Sequence, residues 1–167
     1  MIKAILAIDA NGGIGLDNHL PWPNIPLDLQ NFQKLTTNHH VIMGRKTWES
    51  LPEKYRPLPN RMNYVVTRSQ RDDVVCIHPT EVIDFVSNLD KTSTKDIWVI
   101  GGANLINHMI DEIKEFHLTR IQASYTADTY IDIDNMLKTF DKIYEKQHEG
   151  LLDATIGFEI WRTKPHQ

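Results

Sequence analysis

The chain has 167 residues, of which 41% are hydrophobic and 24% are charged, a composition typical of a packed domain and not of a disordered chain. A net charge of −4 and a pI of about 6.0 exclude an overall basic surface for nucleic acid or anionic membrane, so an anionic ligand needs a local cluster of cations. A lone cysteine excludes an internal disulfide, and no apolar run approaches the ~18 residues of a membrane span, so we expect a soluble cytoplasmic protein.

Strands and helices alternate along the first 115 residues. The nearly unbroken apolar run Ile2–Ile8 is typical of a strand buried on both faces. A helix is predicted at Pro26–Thr36, because proline suits a first helical turn and apolar residues follow it at helical spacing. The other elements predicted in this part are a loop at Asp9–Gly15, strands at His40–Met43, Met62–Thr67, Val74–Ile77 and Ile97–Ile100, helices at Arg45–Leu51, Thr80–Leu89 (capped by Thr80) and Asn104–Ile113, a surface connection at Pro52–Pro59 and a polar turn at Asp90–Lys95.

The last third of the chain is mostly strand. Phe116–Ala123 alternates apolar and polar residues, as an exposed or antiparallel strand does, and Lys142–Gln147 and Gly157–Thr163 are predicted to be a closing pair. These patterns predict an α/β fold in one domain spanning residues 1–167. We expect a mixed, mostly parallel central sheet of about eight strands, about four flanking helices and antiparallel C-terminal edge strands.

One carboxylate lies where an apolar residue is expected. Asp28 shares the helical stripe of Ile25, Leu29, Phe32 and Leu35. Burial of an acid is unfavourable unless something pairs with it. Either Asp28 faces the helix dipole from a wet edge, or a ligand with paired N–H donors completes the carboxylate. The stretch alone does not decide between these interpretations.

Two segments have the order strand, glycine, helix, and both are candidate anion sites at the carboxyl edge of the sheet. They are Val41–Thr47 and Trp98–Asn104, and neither contains a full dinucleotide fingerprint or a P-loop. Each can equally be a tight turn.

The cations Arg45, Lys46 and Arg68 follow strand ends, and an arginine on a 2′-phosphate distinguishes NADP sites from NAD sites. Each of them alone can equally be a solvated surface charge.

No motif for another chemistry is present. The chain has neither a G-x-S-x-G nor an H-E-x-x-H sequence. His39 and His40 are adjacent on a predicted strand, so they point to opposite faces and cannot chelate together. We expect no metal site.

Six motifs in register resemble bacterial-type dihydrofolate reductase from about Ala4 to Arg162. They are L-P-W at Leu20–Trp22, P-x-D at Pro26–Asp28, V-I-M-G-R-K-T-W-E-S at Val41–Ser50, R-P-L-P-N-R at Arg56–Arg61, I-G-G at Ile100–Gly102 and D-T-Y at Asp128–Tyr130. The resemblance implies a folate substrate, antifolate inhibitors and a monomer. It implies hydride transfer from NADPH to C6 of 7,8-dihydrofolate, with a proton reaching N5 and 5,6,7,8-tetrahydrofolate as product.

The resemblance also assigns the folate site. Asp28 would accept two hydrogen bonds from the pterin, supported by Thr119, and Arg61 would hold the glutamate carboxylate. The remaining substrate residues would be Ile5, Leu6, Ala7, Phe32, Leu51, Leu58 and Ile100. The implied catalytic residues are Asp28, Leu20 and Trp22: a water beside Leu20 would donate the proton, because Asp28 lies too far from N5 to do so.

NADPH would be held by the two glycine segments and by a mobile loop at Asn11–Trp22. The implied cofactor residues are Ala7, Ile14, Gly15, Asn18, Gly44, Arg45, Lys46, Thr47, Thr67, Arg68, Ile100, Gly101, Gly102, Ala103, Asn104, Leu105, Ile106 and Thr129. In the family the Gly-Gly bond is cis. Ile106 and Asn104 depart from the Tyr and Arg common in bacterial members.

Two other functions remain open at this point. One is a reductase of the same fold that acts on a ribosylated pyrimidine of flavin synthesis. The other is a non-catalytic nucleotide-binding module. The reductase would not need Asp28 with L-P-W upstream. The module would have no reason to retain Asp28 and Arg61, which would serve a second ligand.

Overall fold

The computed structural model describes residues 1–151 and 154–165. The strands are β1 (Ile2–Ile8), β2 (Gly13–Gly15), β3 (His40–Gly44), β4 (Met62–Val66), β5 (Val75–Ile77), β6 (Ile97–Gly101), β7 (Glu115–Ile121), β8 (Thr129–Tyr130), β9 (Phe140–Leu151) and β10 (Ala154–Thr163). The helices are α1 (Pro26–Thr36), α2 (Arg45–Ser50), α3 (Val82–Thr92), α4 (Ala103–His108) and α5 (Ile133–Met136), with a 3₁₀ turn at Glu53–Tyr55.

Eight strands form the central sheet, in the order β5-β4-β3-β6-β1-β7-β10-β9. The first six are parallel, and β10 runs antiparallel to both β7 and β9. The predicted α/β class, with its mixed sheet and antiparallel C-terminal strands, is therefore confirmed. The parallel pairing of β3 with β6 brings the two glycine segments to one edge.

Helices cover both faces of the sheet, so its interior strands are buried on both sides. On β3, Val41 and Met43 point into one apolar cluster and Ile42 into the other. All three side chains are at most 1% exposed. This double burial explains the unbroken apolar runs in the sequence, since parallel strands have no solvent face.

Several predicted helix ends are wrong. Helix α3 continues to Thr92, three residues into the predicted polar turn. Thr80 does not cap it, because its hydroxyl contacts His78 and Glu81 is the N-cap residue. Helix α4 ends at His108, although the apolar pattern continues to Ile113. Met109 and Ile113 are fully buried in the turns that follow, so the pattern reports burial and not helix length.

The strand predictions also need correction. The predicted loop Asp9–Gly15 contains β2, which pairs with the unpredicted strand β8, and α5 was not predicted either. The expectation that Phe116–Ala123 could be exposed is wrong, because β7 lies inside the sheet. Its polar residues are buried through partners that sequence spacing does not show: Thr119 binds Asp28, and Glu115 binds Arg162. The closing strands β9 and β10 are longer than predicted.

Candidate active site

Asp28 lies in the first turn of α1, over the carboxyl-terminal half of β7. The Thr119 hydroxyl donates a 2.8 Å hydrogen bond to its Oδ1. Burial raises the pKa of Asp28, and the hydrogen bond from Thr119 opposes that rise. Among the described residues, no donor reaches Oδ2. The carboxylate is partly buried and half paired, so a ligand with two N–H donors can complete it. Leu29, which shares the predicted apolar stripe, is 46% exposed, so that part of the stripe prediction is wrong.

Apolar side chains from α1, α2, the sheet and the adjoining loops form a cluster that reaches the helix carrying Asp28. Phe32 of α1 packs with residues of the sheet and of the segment after α2 in one cluster. That cluster contains five of the predicted substrate residues, namely Ile5, Phe32, Leu51, Leu58 and Ile100. These five residues are up to 95 positions apart in the sequence, from Ile5 to Ile100, and the fold brings them together. These side chains form one hydrophobic wall.

Arg61 lies against the same wall. Its guanidinium stacks over the Phe32 ring, 5.7 Å from the centroid. It donates hydrogen bonds to the Pro59 carbonyl at 2.8 Å and to Thr36 Oγ1 at 3.1 Å. Burial lowers the pKa of Arg61, but a guanidinium stays charged in proteins. These contacts fix the orientation of the Arg61 guanidinium and leave its other N–H groups available to an anion.

The two glycine segments abut at the carboxyl edge of the sheet. A Cβ on Gly44 would lie 3.7 Å from the Gly102 nitrogen. Gly101 has a φ of +135°, and a Cβ there would lie 3.3 Å from Thr47 Oγ1. The Gly101–Gly102 peptide is cis. The backbone therefore forms a cradle without side chains, and the Thr47 hydroxyl lies beside it.

An open groove of about 380 Å³ adjoins this cradle. Four of its lining residues are predicted cofactor residues, Asn18, Arg45, Lys46 and Thr129, and the other two are Glu49 and Asp128. Arg45 pairs with Glu49 at 3.0 Å. Thr67 and Arg68 do not line the groove. They follow β4, the strand that pairs with β3. Thr67 Oγ1 accepts a hydrogen bond from the Ser69 amide.

Sequence reasoning missed the carboxylates that hold the loop over this edge. Asp128 accepts a 2.9 Å hydrogen bond from the Asp17 amide through Oδ2, and this contact, with the Thr129 hydroxyl, lowers the pKa of Asp128. Asp9 is buried and accepts hydrogen bonds from three backbone amides, those of Asn11, Gly13 and Tyr125. Their sequence signals were the D-T-Y motif and an aspartate before an Asn-Gly-Gly turn.

Some predicted site residues direct their side chains elsewhere. Leu6, Leu105 and Ile106 point into the core cluster on the opposite face from Ile5, so only their backbone can border the ligand sites. Leu20 is 58% exposed, whereas Trp22 is buried and stacks edge-on against Tyr125.

Within residues 1–151 and 154–165, no group of three or more metal-type side chains converges. In the same residues no helix has the length and apolarity to cross a bilayer.

An open α/β sheet with an anion cradle at its carboxyl edge and a half-paired, partly buried carboxylate is typical of an enzyme that binds a nucleotide and a second ligand. Comparison with known proteins makes this specific. The family profile of dihydrofolate reductase matches residues 1–161. Dihydrofolate reductase type 8 of Escherichia coli is 39% identical over 155 residues, covering 89% of this chain and 90% of that protein.

Two further relatives agree. Dihydrofolate reductase of Bacillus subtilis is 39% identical over 134 residues, covering 78% of this chain and 74% of its own length. The solved structure of the Enterococcus faecalis enzyme, complexed with NADP(H) and RAB-propyl, superposes with a TM-score of 0.84 and 25% identity, covering 99% of this chain and 97% of that one. The chain belongs to the dihydrofolate reductase family. It is an NADPH-dependent oxidoreductase that reduces dihydrofolate to tetrahydrofolate.

Proposed function

We propose that Asp28 is the group that binds and polarises the pterin ring of dihydrofolate. The observation that carries this proposal is the half-paired carboxylate, with Thr119 on Oδ1 and Oδ2 open. The 2-amino group and the neighbouring ring nitrogen of the pterin present two parallel N–H donors. A charge-assisted bidentate pair would compensate the desolvation that raises the pKa of Asp28.

The rest of the substrate would follow the apolar wall outwards. The benzoyl ring would pack between Phe32 on one side and Leu51 and Leu58 on the other, which share a cluster. Arg61 would bind the glutamate carboxylate, since its planar fork matches a carboxylate and is already oriented by Pro59 and Thr36. Ile5 would accept a pterin hydrogen bond through its backbone carbonyl.

The cradle fits NADPH. Two adjacent turns without side chains let the backbone at Gly44 and Gly101–Gly102 approach a pyrophosphate, with Thr47 as a hydroxyl donor. Arg45 and Lys46 would bind phosphate and Arg68 the 2′-phosphate, with amides at the start of α4 and the loop at Ile14, Gly15 and Asn18 completing the site. The complex of the Enterococcus faecalis relative with NADP(H) supports this assignment. When bound there, NADPH supplies the hydride for C6.

The chain's own part in the chemistry is orientation and proton placement. Asp28 fixes the pterin and stabilises positive charge on it, while the exposed Leu20 borders the water that protonates N5. Trp22 supports that segment from its buried position beside Ile25, the residue before α1. Neither a flavin-pathway reductase nor a binding module accounts for Asp28, Thr119 and Arg61 together.

We also propose that the chain acts as a monomeric single domain in the cytoplasm, with no nucleic-acid partner. One eight-stranded sheet runs from β5 to β9, which supports one folding unit. The lone Cys76 and the net charge of −4 are consistent with a reducing compartment and with small-molecule ligands. Sedimentation at micromolar concentration tests the monomer, and a dimer would contradict it.

An inhibitor titration tests the site assignment. We expect NADPH absorbance to fall only when dihydrofolate is added, and methotrexate, a diaminopteridine, to stop that fall. Methotrexate affinity should drop about 100-fold or more in Asp28→Asn, which loses a charge-assisted bidentate pair. Asp84→Asn is the matched control, because Asp84 is an exposed acid in the first turn of α3, a helix of the same length. Equal affinities in the two variants would contradict the assignment.

A further inference from the structure

A second, smaller cavity lies beside Thr119, the residue that donates a hydrogen bond to Asp28. It has a volume of about 110 Å³ and lies between α1 and the C-terminal strands. Asn31 lines it from the helix, His117 and Thr119 line it from β7, and Tyr144 lines it from β9. We call it the rear crevice. Thr119 connects it to Asp28, whereas Asn31, His117 and Tyr144 have no part in the folate and cofactor sites proposed above.

A polar line runs along one face of β7 towards Asp28. Glu115, His117 and Thr119 alternate along the strand, so their side chains point to the same face. His117 Nε2 lies 2.7 Å from Glu115 Oε1, and Thr119 Oγ1 lies 2.8 Å from Asp28 Oδ1. The line therefore consists of two hydrogen-bonded pairs, Glu115–His117 and Thr119–Asp28.

The rear crevice joins these two pairs. Its volume exceeds the ~10–15 Å³ that one water needs, so the crevice has room for several waters. The polar atoms of Asn31, His117 and Tyr144 supply hydrogen-bond partners that such waters need. Electrostatic interaction between His117 and Asp28 would be screened less beside this half-enclosed space than in bulk solvent.

The charged groups around His117 and the rear crevice come from β1, β7 and β10. Glu159 of β10 lines the crevice and pairs with Arg120 of β7 at 3.0 Å. Buried Glu115 also binds Arg162 of β10 at 3.0 Å and Lys3 of β1 at 3.5 Å. Lys3 binds Asp96, which precedes β6, and the Trp98 ring of β6 stacks edge-on against His117. Burial lowers the pKa of His117, Glu115 opposes this, and the charges of Lys3 and Arg162 add to it. Protonation of His117 changes the net charge of the Glu115–His117 pair from −1 to zero. Removal of this negative charge favours the ionised form of Asp28.

We propose that His117 is a positioning residue for Asp28. Through Thr119 and the rear crevice, His117 sets the proton affinity of the Asp28 carboxylate. The coupling between the two groups stands on the structure, and its role in turnover rests on the proposed function of Asp28. Linkage makes the coupling reciprocal. A change of charge at Asp28 must therefore move the titration of His117 by the same amount.

Histidine NMR titration of the intact protein tests the coupling without turnover. In Asp28→Asn, which removes a nearby negative charge, we expect the titration midpoint of His117 to fall by about half a pH unit. This shift corresponds to about 0.7 kcal/mol, the size expected for a screened interaction between charges in a partly hydrated site. The remote His78 should not move, and neither should His117 in the Asp84→Asn control. An unchanged His117 in Asp28→Asn would overturn the proposal.

A pH profile tests the role in turnover. His117→Gln keeps a donor for Glu115 but cannot ionise, so the acid-side midpoint of kcat/KM should rise by about half a pH unit. The plateau value of kcat should stay within about twofold. A uniform loss of kcat with an unmoved midpoint would show a structural role and overturn the proposal. If Asp28 does not bind substrate, Asp28→Asn turns over normally, while the NMR shift of His117 still reports the coupling.

Discussion

At the scale of the residue, the number of partners separates a structural acid from a functional one. Asp9 is 3% exposed, but three backbone amides satisfy its two oxygens, and it holds a loop in place. Asp28 is held by Thr119 alone among the described residues. The sequence marked Asp28 through its position on an apolar stripe. It could not show Thr119 as the partner, because 91 residues separate the two.

The Thr119 hydroxyl should matter for affinity and for the charge of Asp28. In Thr119→Val the hydrogen bond that opposes the burial effect is lost, so the pKa of Asp28 should rise further. We expect KM for dihydrofolate to increase about 10-fold at neutral pH, as loss of a hydrogen bond to a charged group implies. Thr119→Ser keeps the hydroxyl and is the control. A wild-type KM in Thr119→Val would count against the contact.

Arg61 should act on one end of the substrate only. Arg61→Met removes the guanidinium but keeps an apolar stem against Phe32, so KM for dihydrofolate should rise about 10–100-fold. For a dihydropterin substrate without the glutamate, wild type and variant should have the same kcat/KM. Equal losses for both substrates in steady-state kinetics would show that Arg61 acts on folding or on the pterin instead.

At the scale of the element, burial determines which patterns could be interpreted correctly. Helix α1 has the predicted bounds Pro26–Thr36, because proline starts it and one face packs on the sheet. Helix α4 is shorter than its apolar pattern, since turns can bury Met109 and Ile113 as well as a helix can. The pairing of β2 with β8 joins segments that are more than 110 residues apart, since Gly15 pairs with Thr129. Strands of three and two residues leave no periodicity to detect.

The pairing of β2 with β8 depends on Gly12. Its φ is +82°, and a Cβ there would lie 2.6 Å from the Ile131 carbonyl oxygen. Gly12→Ala should destabilise the fold by about 1–3 kcal/mol and speed amide exchange in β2. Gly15→Ala is the matched control, because its Cβ would make an ordinary 3.4 Å contact with Thr129. Thermal unfolding and hydrogen exchange measure both, and equal effects would contradict the geometric argument.

At the scale of the whole molecule, parallel pairing assembles the site from remote segments. The register of β3 with β6 places Gly44 beside Gly102, and the pairing of β1 with β7 places Ala7 beside Thr119. Alternation of strands and helices was enough to predict that edge. The side on which each residue points followed only from the register, which is why Leu6 and Ile106 proved to face the core.

A charge cluster at the opposite edge should make stability depend on pH. Burial raises the pKa values of Glu115 and Asp96, but their hydrogen bonds and cations outweigh it and lower both. A depressed carboxylate pKa stabilises the fold above the unfolded value of about 4 and loses this effect as pH falls through the folded value. Lys3 contacts both acids, at 3.1 Å from Asp96 and 3.5 Å from Glu115.

Lys3→Met should therefore lower the free energy of unfolding by about 1–2 kcal/mol at pH 7. The difference from wild type should be smaller at pH 3 than at pH 7, because both acids lose charge as the pH falls below about 4 towards their lowered folded-state pKa values. Urea unfolding at the two pH values measures this. A deficit of the same size at both would show that Lys3 contributes packing and not charge.

The most direct test of the central claim is the pH dependence of Asp28→Asn in steady-state turnover, beside Asp84→Asn. With Asp28 as the pterin carboxylate, dihydrofolate-dependent NADPH oxidation at pH 7 should fall about 100-fold or more. It should recover partly in acid, where the substrate is already protonated in solution. Asp84→Asn should match wild type at every pH. Full activity of Asp28→Asn at pH 7 would contradict the account.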